Sequence, residues 1–263
     1  MESSTQSPVD SLTSGFHLLK NNNTYLKKRM AEAAAFCSDN LDILLNNTRN
    51  QVQVRDSKKN YRLNRNDPDQ KGTDEEARLE RSLFQQFHTS QNQNTPLLEN
   101  LCEGLVAYQV PLYNSQNQER WGEIDLLGHQ DRLPVVIELK RGSNTTDPLL
   151  GMLLQGVAYA VSLQVAWKSS TSGLRDEWIS ALGIEEISQD LPVELERMPI
   201  ICLAPLEYWE YWQKQMTAGA RDAIERLCER LRKRGYAIEF AVVQDEPQVQ
   251  YHVTRINPYT LQV

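Results

Sequence analysis

The sequence is poor in the residues that mark several protein classes. Its 263 residues include only 4 cysteines, Cys37, Cys102, Cys202 and Cys228, too scattered to form a CxxC pair. The Ser/Thr-rich start, Met1 to Phe16, has no secretory pattern, so the cysteines read as free thiols of a reducing cytosol. The 4 histidines, His17, His88, His129 and His252, lack HExxH or zinc-finger spacing, which argues against a structural zinc site. With 12 Gly, 11 Pro and no internal repeat, the chain is neither collagen-like nor low in complexity. Basic residues are outnumbered as well, 28 Lys+Arg against 35 Asp+Glu, a formal charge of −7. Overall charge therefore cannot hold a polyanion, and any such binding must rest on local patches.

Long apolar runs are scarce, with one exception. Pro148 to Trp167 carries no formal charge over 20 residues, long enough to span a bilayer. It also contains Gln155, Ser162 and Gln164 and has no flanking basic cluster, which predicts a buried helix rather than a membrane span.

Periodicity divides the rest. Residues 1–23 read as a disordered tail, and 24–72 as a helical extension (24–47) followed by a basic linker. A domain follows over 73–263. It begins with an amphipathic helix, DEEARLERSLFQQFHT, capped by Thr73 or Asp74. Strands are predicted at 104–113, 121–128 and 134–141, and the uncharged helix at 148–168. A buried strand follows at 199–205, then two helical pieces at 206–216 and 219–234, the second stopped by Gly235. Strands at 236–244 and 248–256 close the list, giving a mixed α/β domain.

The chemistry concentrates in WGEIDLLGHQDRLPVVIELKRG. If 121–128 and 134–141 form a hairpin turning at Asp131-Arg132, Asp125 faces Glu138 and Glu123 faces Lys140. Alternation then puts these four charges on one face, with Ile124, Leu126, Val135, Ile137 and Leu139 on the other. Two readings stay open at this level. One is a solvated sheet face with cross-strand ion pairs. The other is a site for a hard divalent cation, which takes carboxylates, waters and phosphate oxygens.

Asp125 followed by Glu138-Leu139-Lys140 resembles the D…(D/E)xK signature of the PD-(D/E)xK nuclease superfamily. The restriction-endonuclease-like core of that superfamily runs α, three strands, α, strand, similar to the order predicted for 73–205. Glu76 and Leu79 match an E-x-x-L placement in the leading helix, with Glu80 the other candidate one turn on. Gln155-Gly-Val-Ala-Tyr159 resembles the QxxxY motif of the RecB-like branch. One departure is that Gly122-Glu123-Ile124, and no proline, precedes Asp125.

The resemblance implies a mixed sheet core flanked by helices and a nuclease that hydrolyses phosphodiester bonds by metal-activated water. Asp125 and Glu138 would ligate Mg²⁺ or Mn²⁺ with the Leu139 carbonyl, and Lys140 would position the water. Glu76 would complete the shell, with Gln155, Tyr159, Glu80 and Glu123 in support. The implied partner is nucleic acid, DNA in preference to RNA, with no membrane and a cytoplasmic location; self-association is left open. The alternative is the same fold without turnover, binding nucleic acid or a protein partner.

Basic and aromatic stretches complete the candidates. Arg55, Lys58, Lys59, Tyr61 and Arg62 lie in RDSKKNYRLNR, which reads either as a solvated loop or as an arm that tracks phosphates and stacks a base on Tyr61. Arg230 to Arg234 reads as compensation of a helix dipole. The aromatic run 207–212 is expected to pack its helix on the sheet.

Overall fold

Among the described residues six strands line up in sequential order, β1 to β6, in a single sheet. The computed structural model describes residues 15–16, 22–55, 61–63, 75–88, 96–112, 122–183, 191–246 and 250–262. The strands are β1 (Gly104–Pro111), β2 (Glu123–Gln130), β3 (Leu133–Leu139), β4 (Met198–Pro205), β5 (Tyr236–Glu246) and β6 (Gln250–Arg255). Eight helices accompany them among the described residues: α1 (Asn23–Lys28), α2 (Met30–Asp39), α3 (Leu41–Gln51), α4 (Glu75–Phe87), α5 (Leu149–Lys168), α6 (Leu174–Leu182), α7 (Leu206–Gln215) and α8 (Ala218–Arg232). The fold is mixed α/β, as the alternating periods predict.

Pairing is antiparallel for β1–β2, β2–β3 and β5–β6, and parallel for β3–β4 and β4–β5. A parallel pair needs a crossover, supplied by α5 between β3 and β4 and by α7–α8 between β4 and β5. The parallel centre is covered on both faces, which is why 134–139 and 199–204 read as nearly unbroken apolar runs. One face, through Leu126, Val135, Ile137, Leu139, Ile201 and Leu203, meets Leu83, Phe84 and Phe87 of α4. The other face carries the larger core under α5 and α8, with α1 to α3 packed outside them.

The β2–β3 hairpin keeps the predicted register, Leu126 opposite Ile137 and Gln130 opposite Leu133. Asp131 and Arg132 turn it at φ +49° and +66°, the left-handed pair that suits a two-residue loop between twisted strands. Ile124 departs from the predicted face and joins the larger core with Val110 and Leu112. The paired strand switches face at the same level: across Gln109, at φ +48°, Tyr108 lies on the α4 face with its partner Leu126, and Val110 on the other with its partner Ile124.

α5 is buried along nearly its whole length. It is long and apolar enough to cross a membrane, but 83% of its apolar window is buried inside the fold. Its polar residues are bonded internally. Ser162 Oγ donates to the Ala158 carbonyl at 2.8 Å, and Gln164 bridges the Leu195 carbonyl (2.8 Å) and the Tyr236 hydroxyl (2.6 Å). At the end of α8, Gly235 has φ +90°, and a Cβ there would lie 2.2 Å from the Glu196 carbonyl oxygen, so only glycine fits.

The N-terminal expectations need correction. Phe16 is no part of a loose tail: it is fully buried, and its N–H donates to Thr48 Oγ1 at 2.9 Å. The remaining tail residues through Asn21, Gly15 excepted, lie outside the described residues. The single helix expected over 24–47 is broken at Arg29 and Asn40, where φ falls to −133° and −106°. Those breaks let Leu26, then Ala33, Ala34 and Cys37, then Leu41, Leu44 and Leu45, all bury on one core. α2 runs along α8, and α3 lies on α5. Phe16, the helices over 23–51, Tyr61 and Leu63 are thus built into the same core as the rest.

Candidate functional site: a carboxylate cluster around Lys140

The site begins where β2 and β3 part. Their ladder ends at Leu126–Ile137, one residue short of Asp125 and Glu138. Asp125 Oδ2 instead accepts the backbone N–H of Leu139 at 2.7 Å, so a side chain replaces the next ladder bond. Glu138 is fully buried on the α5 side, its Cβ facing Gly156. Lys140 follows β3, stays attached to β4 through its N–H to the Leu203 carbonyl (3.0 Å), and is 3% exposed.

The Lys140 ammonium binds back onto its own strand. Nζ donates to Glu138 Oε1 at 2.6 Å and to the Leu139 carbonyl at 2.9 Å. Glu76 Oε1, from α4, lies 3.7 Å away, while Glu76 Oε2 accepts the Arg141 N–H at 3.1 Å. Glu80, one turn further along α4, is buried and accepts from Gln109 Nε2 at 2.9 Å. Both candidate glutamates of α4 therefore point into the cluster. Glu123, at the outer end of β2, is half-buried opposite Pro111.

Gln109 was not anticipated. Its left-handed φ turns its amide toward α4 when strict alternation would turn it away. A non-glycine residue in that region costs about 1 kcal/mol or more and persists only where its surroundings enforce it. The signal available in the sequence was a lone polar residue within the apolar strand GLVAYQVPLY.

The electrostatics follow from crowding carboxylates in a poorly hydrated place. Burial opposes the charged form of Lys140, but Glu138, Asp125 and Glu76 together outweigh it and hold the ammonium well above the usual lysine range. Burial first, and then the charge of Asp125, pushes the Glu80 carboxyl up to about 9. Glu76 is raised chiefly by burial, with Lys140 pulling the other way. Tyr159, buried beside Glu138 and Asp125, has its phenol raised far above the ordinary value. Its hydroxyl accepts from Gln155 Nε2 at 2.8 Å, so the Q-x-x-x-Y pair is joined directly across one turn of α5.

Other candidates fall elsewhere. Tyr61 is 1% exposed and cannot serve as a stacking platform; that expectation is corrected. The Glu177 carboxylate accepts the N–H groups of Tyr61 (2.6 Å) and Leu63 (2.8 Å), pinning the segment against α6. Arg55 lies over the Tyr61 ring at 5.8 Å, Arg62 has φ +61°, and Lys58 and Lys59 lie outside the described residues. At the end of α8, Arg234 makes a two-point contact with Asp42 at 2.6 and 2.8 Å. Trp209 Nε1 bonds the Ala204 and Ala241 carbonyls, as expected of an aromatic run that packs its helix on the sheet.

A cleft of about 1020 Å³ opens beside the cluster, between α4 (Glu75, Arg78, Leu79, Ser82), the loop at Gly142–Ser143, the start of α7 and Val243, Gln244 and Tyr251. It shares a wall with the cluster, since Glu75 and Gly142 adjoin Glu76 and Arg141. The cluster's own side chains do not line it.

Four carboxyl groups (Glu76, Glu80, Asp125 and Glu138) and a backbone carbonyl make a donor set that is all oxygen, with the Lys140 ammonium beside them. Such a set suits a hard divalent cation and not a soft metal. Among the described residues no group of three His, Cys, Asp or Glu side chains is gathered at ligand geometry. The Lys140 ammonium already draws on the Glu138 and Leu139 oxygens. The chain matches no protein-family model, and no curated protein or solved structure is significantly similar to it.

Proposed function

We propose that the protein is a metal-dependent nuclease with a restriction-endonuclease-like core, cleaving phosphodiester bonds of nucleic acid, DNA in preference to RNA, in the cytoplasm. The observation that carries this reading is the convergence of Asp125, Glu138 and Lys140 with Glu76 and Glu80 where β2 and β3 separate. The order α4-β1-β2-β3-α5-β4, with the short α6 inserted before β4, and the Gln155–Tyr159 pair on α5 support it. Carboxylates buried at this density are costly without a cation to neutralise them, and Lys140 supplies a single positive charge among Glu76, Asp125 and Glu138.

Asp125, Glu138 and the Leu139 carbonyl would hold Mg²⁺ or Mn²⁺. A bound divalent cation supplies Lewis-acid polarisation of phosphate oxygens and a readily deprotonated water. The chain's own residues do the rest. Lys140 would orient the attacking water and offset charge developing on the phosphate. Asp125 ties the end of β3 to β2 by accepting the Leu139 N–H. Tyr159, its hydroxyl fixed by Gln155, closes the α5 side against bulk water.

A second reading has its own observation. The short contacts of Lys140 to Glu138 and the Leu139 carbonyl make the cluster self-satisfied, as suits an inert nuclease-fold module that binds nucleic acid or a protein partner. The deciding experiment is cleavage of single- and double-stranded DNA and RNA with Mg²⁺ or Mn²⁺, run beside Lys140→Ala. Cleavage should fall by about a hundredfold or more in the variant, the scale for losing one charge-stabilising donor. Cleavage unchanged in Lys140→Ala defeats the site assignment. No cleavage and no cation binding by the wild type favours the inert module.

A further inference from the structure

Lys140 uses the oxygens that, under the reading above, a divalent cation would need. Glu138 and Lys140 are two residues apart, and the chain after β3 lets the lysine fold back over its own strand. Its ammonium sits 2.6 Å from Glu138 Oε1 and 2.9 Å from the Leu139 carbonyl. An ammonium and a divalent ion cannot both hold this pair of oxygens. Nor can a buried ammonium simply be expelled, because an unpaired charge in a dry site is strongly disfavoured.

Glu76 offers the alternative. It lies on α4, off the strand, with Oε1 3.7 Å from Nζ, just beyond hydrogen-bond length. Its other oxygen accepts the Arg141 N–H at 3.1 Å, which fixes the carboxylate beside the lysine. A small swing of the side chain would move the ammonium from one carboxylate to the other without exposing it.

We infer that Lys140 is the resident cation of the unloaded site, and that entry of a divalent ion transfers its ammonium from Glu138 and the Leu139 carbonyl to Glu76. Glu76 is then the counter-charge that positions the lysine, not a metal ligand. The inference rests on the metal-site reading and refines it. Because the two cations compete for the same oxygens, each weakens the other's hold by the same factor.

The test is calorimetric titration of Mn²⁺ into the full chain as wild type, Lys140→Met, Glu76→Gln and the double variant. Lys140→Met should bind Mn²⁺ about tenfold tighter or more, since a buried competing charge is gone. Glu76→Gln should bind several-fold more weakly than wild type, and should have no effect in the Lys140→Met background. Lys140→Arg, which keeps the charge, should gain nothing. Equal or weaker binding by Lys140→Met overturns the inference. So does a Glu76→Gln loss that persists in the Lys140→Met background, because that marks Glu76 as a ligand. If Lys140→Met does not fold, Lys140→Gln takes its place with the same expected direction. Absence of Mn²⁺ binding in all variants defeats the metal reading itself, an outcome distinct from the other two.

Discussion

The carboxylate of Asp125 accepts the backbone N–H of Leu139 at 2.7 Å, one residue past the end of the β2–β3 ladder. A single side chain thus both terminates a hairpin and brings a charge to the cluster. These two roles separate on mutation. Asp125→Ala leaves the Leu139 donor without its acceptor and should cost about 1–3 kcal/mol. Asp125→Asn retains an acceptor oxygen and removes one of the crowded negative charges, so its stability should equal or exceed that of wild type while cleavage is lost. Urea denaturation of both variants checks this; an Asn variant as unstable as the Ala variant would mean that the bond contributes nothing.

Glu80 makes stability depend on pH in a definite direction. Its carboxyl is pushed up from 4.5 to about 9, burial leading and the Asp125 charge following. Between those values the folded protein keeps a proton that the unfolded chain releases, so stability falls as pH rises. The contribution is complete below about 4.5 and is lost on approaching 9. Glu76 is shifted the same way. Glu80→Gln cannot ionise and still offers an oxygen to Gln109. Its melting temperature should match that of wild type near pH 5 and exceed it near pH 8.5. A difference that does not change with pH would place the charged carboxylate in the fold after all.

Two helical glycines should answer the same substitution with opposite signs. A Cβ on Gly156 of α5 would meet Ile200 Cγ2 at 2.6 Å and lie 3.8 Å from Glu138 Cβ. Gly156→Ala should therefore push α5 off the sheet beside Glu138 and destabilise by about 1–3 kcal/mol, even against the gain in helix propensity. Gly219, in the first turn of α8, has nothing within 4 Å of its Cβ position. Gly219→Ala should stabilise by up to about 1 kcal/mol. Chemical denaturation of the pair decides it, and loss of stability in both would mean that packing is not what distinguishes them.

The elements were legible wherever a pattern is local. Period-two alternation in 123–130 and 133–139 set the hairpin register. The turn at Asp131-Arg132 followed from its place between those strands. The uncharged run at 148–167, with Gln155, Ser162 and Gln164 within it, became the buried α5. Each depends on which face a residue takes, and spacing along the chain encodes that.

Tertiary structure alone decided which faces meet. No spacing relates Phe16 to Thr48, or Tyr61 to Glu177, yet Phe16 and Tyr61 are both anchored in the core. The reach of Glu76 to Lys140 depends on α4 lying across the strand ends, 64 residues earlier in the chain. Gln109 reaches Glu80 because one left-handed residue breaks the alternation by which a strand is read. The sequence by itself determined the carboxylates and the lysine on one hairpin. The fold decided that Lys140 turns back onto Glu138 with Glu76 waiting beside it, because a buried charge is held by whatever packing brings near and not by its neighbours in sequence.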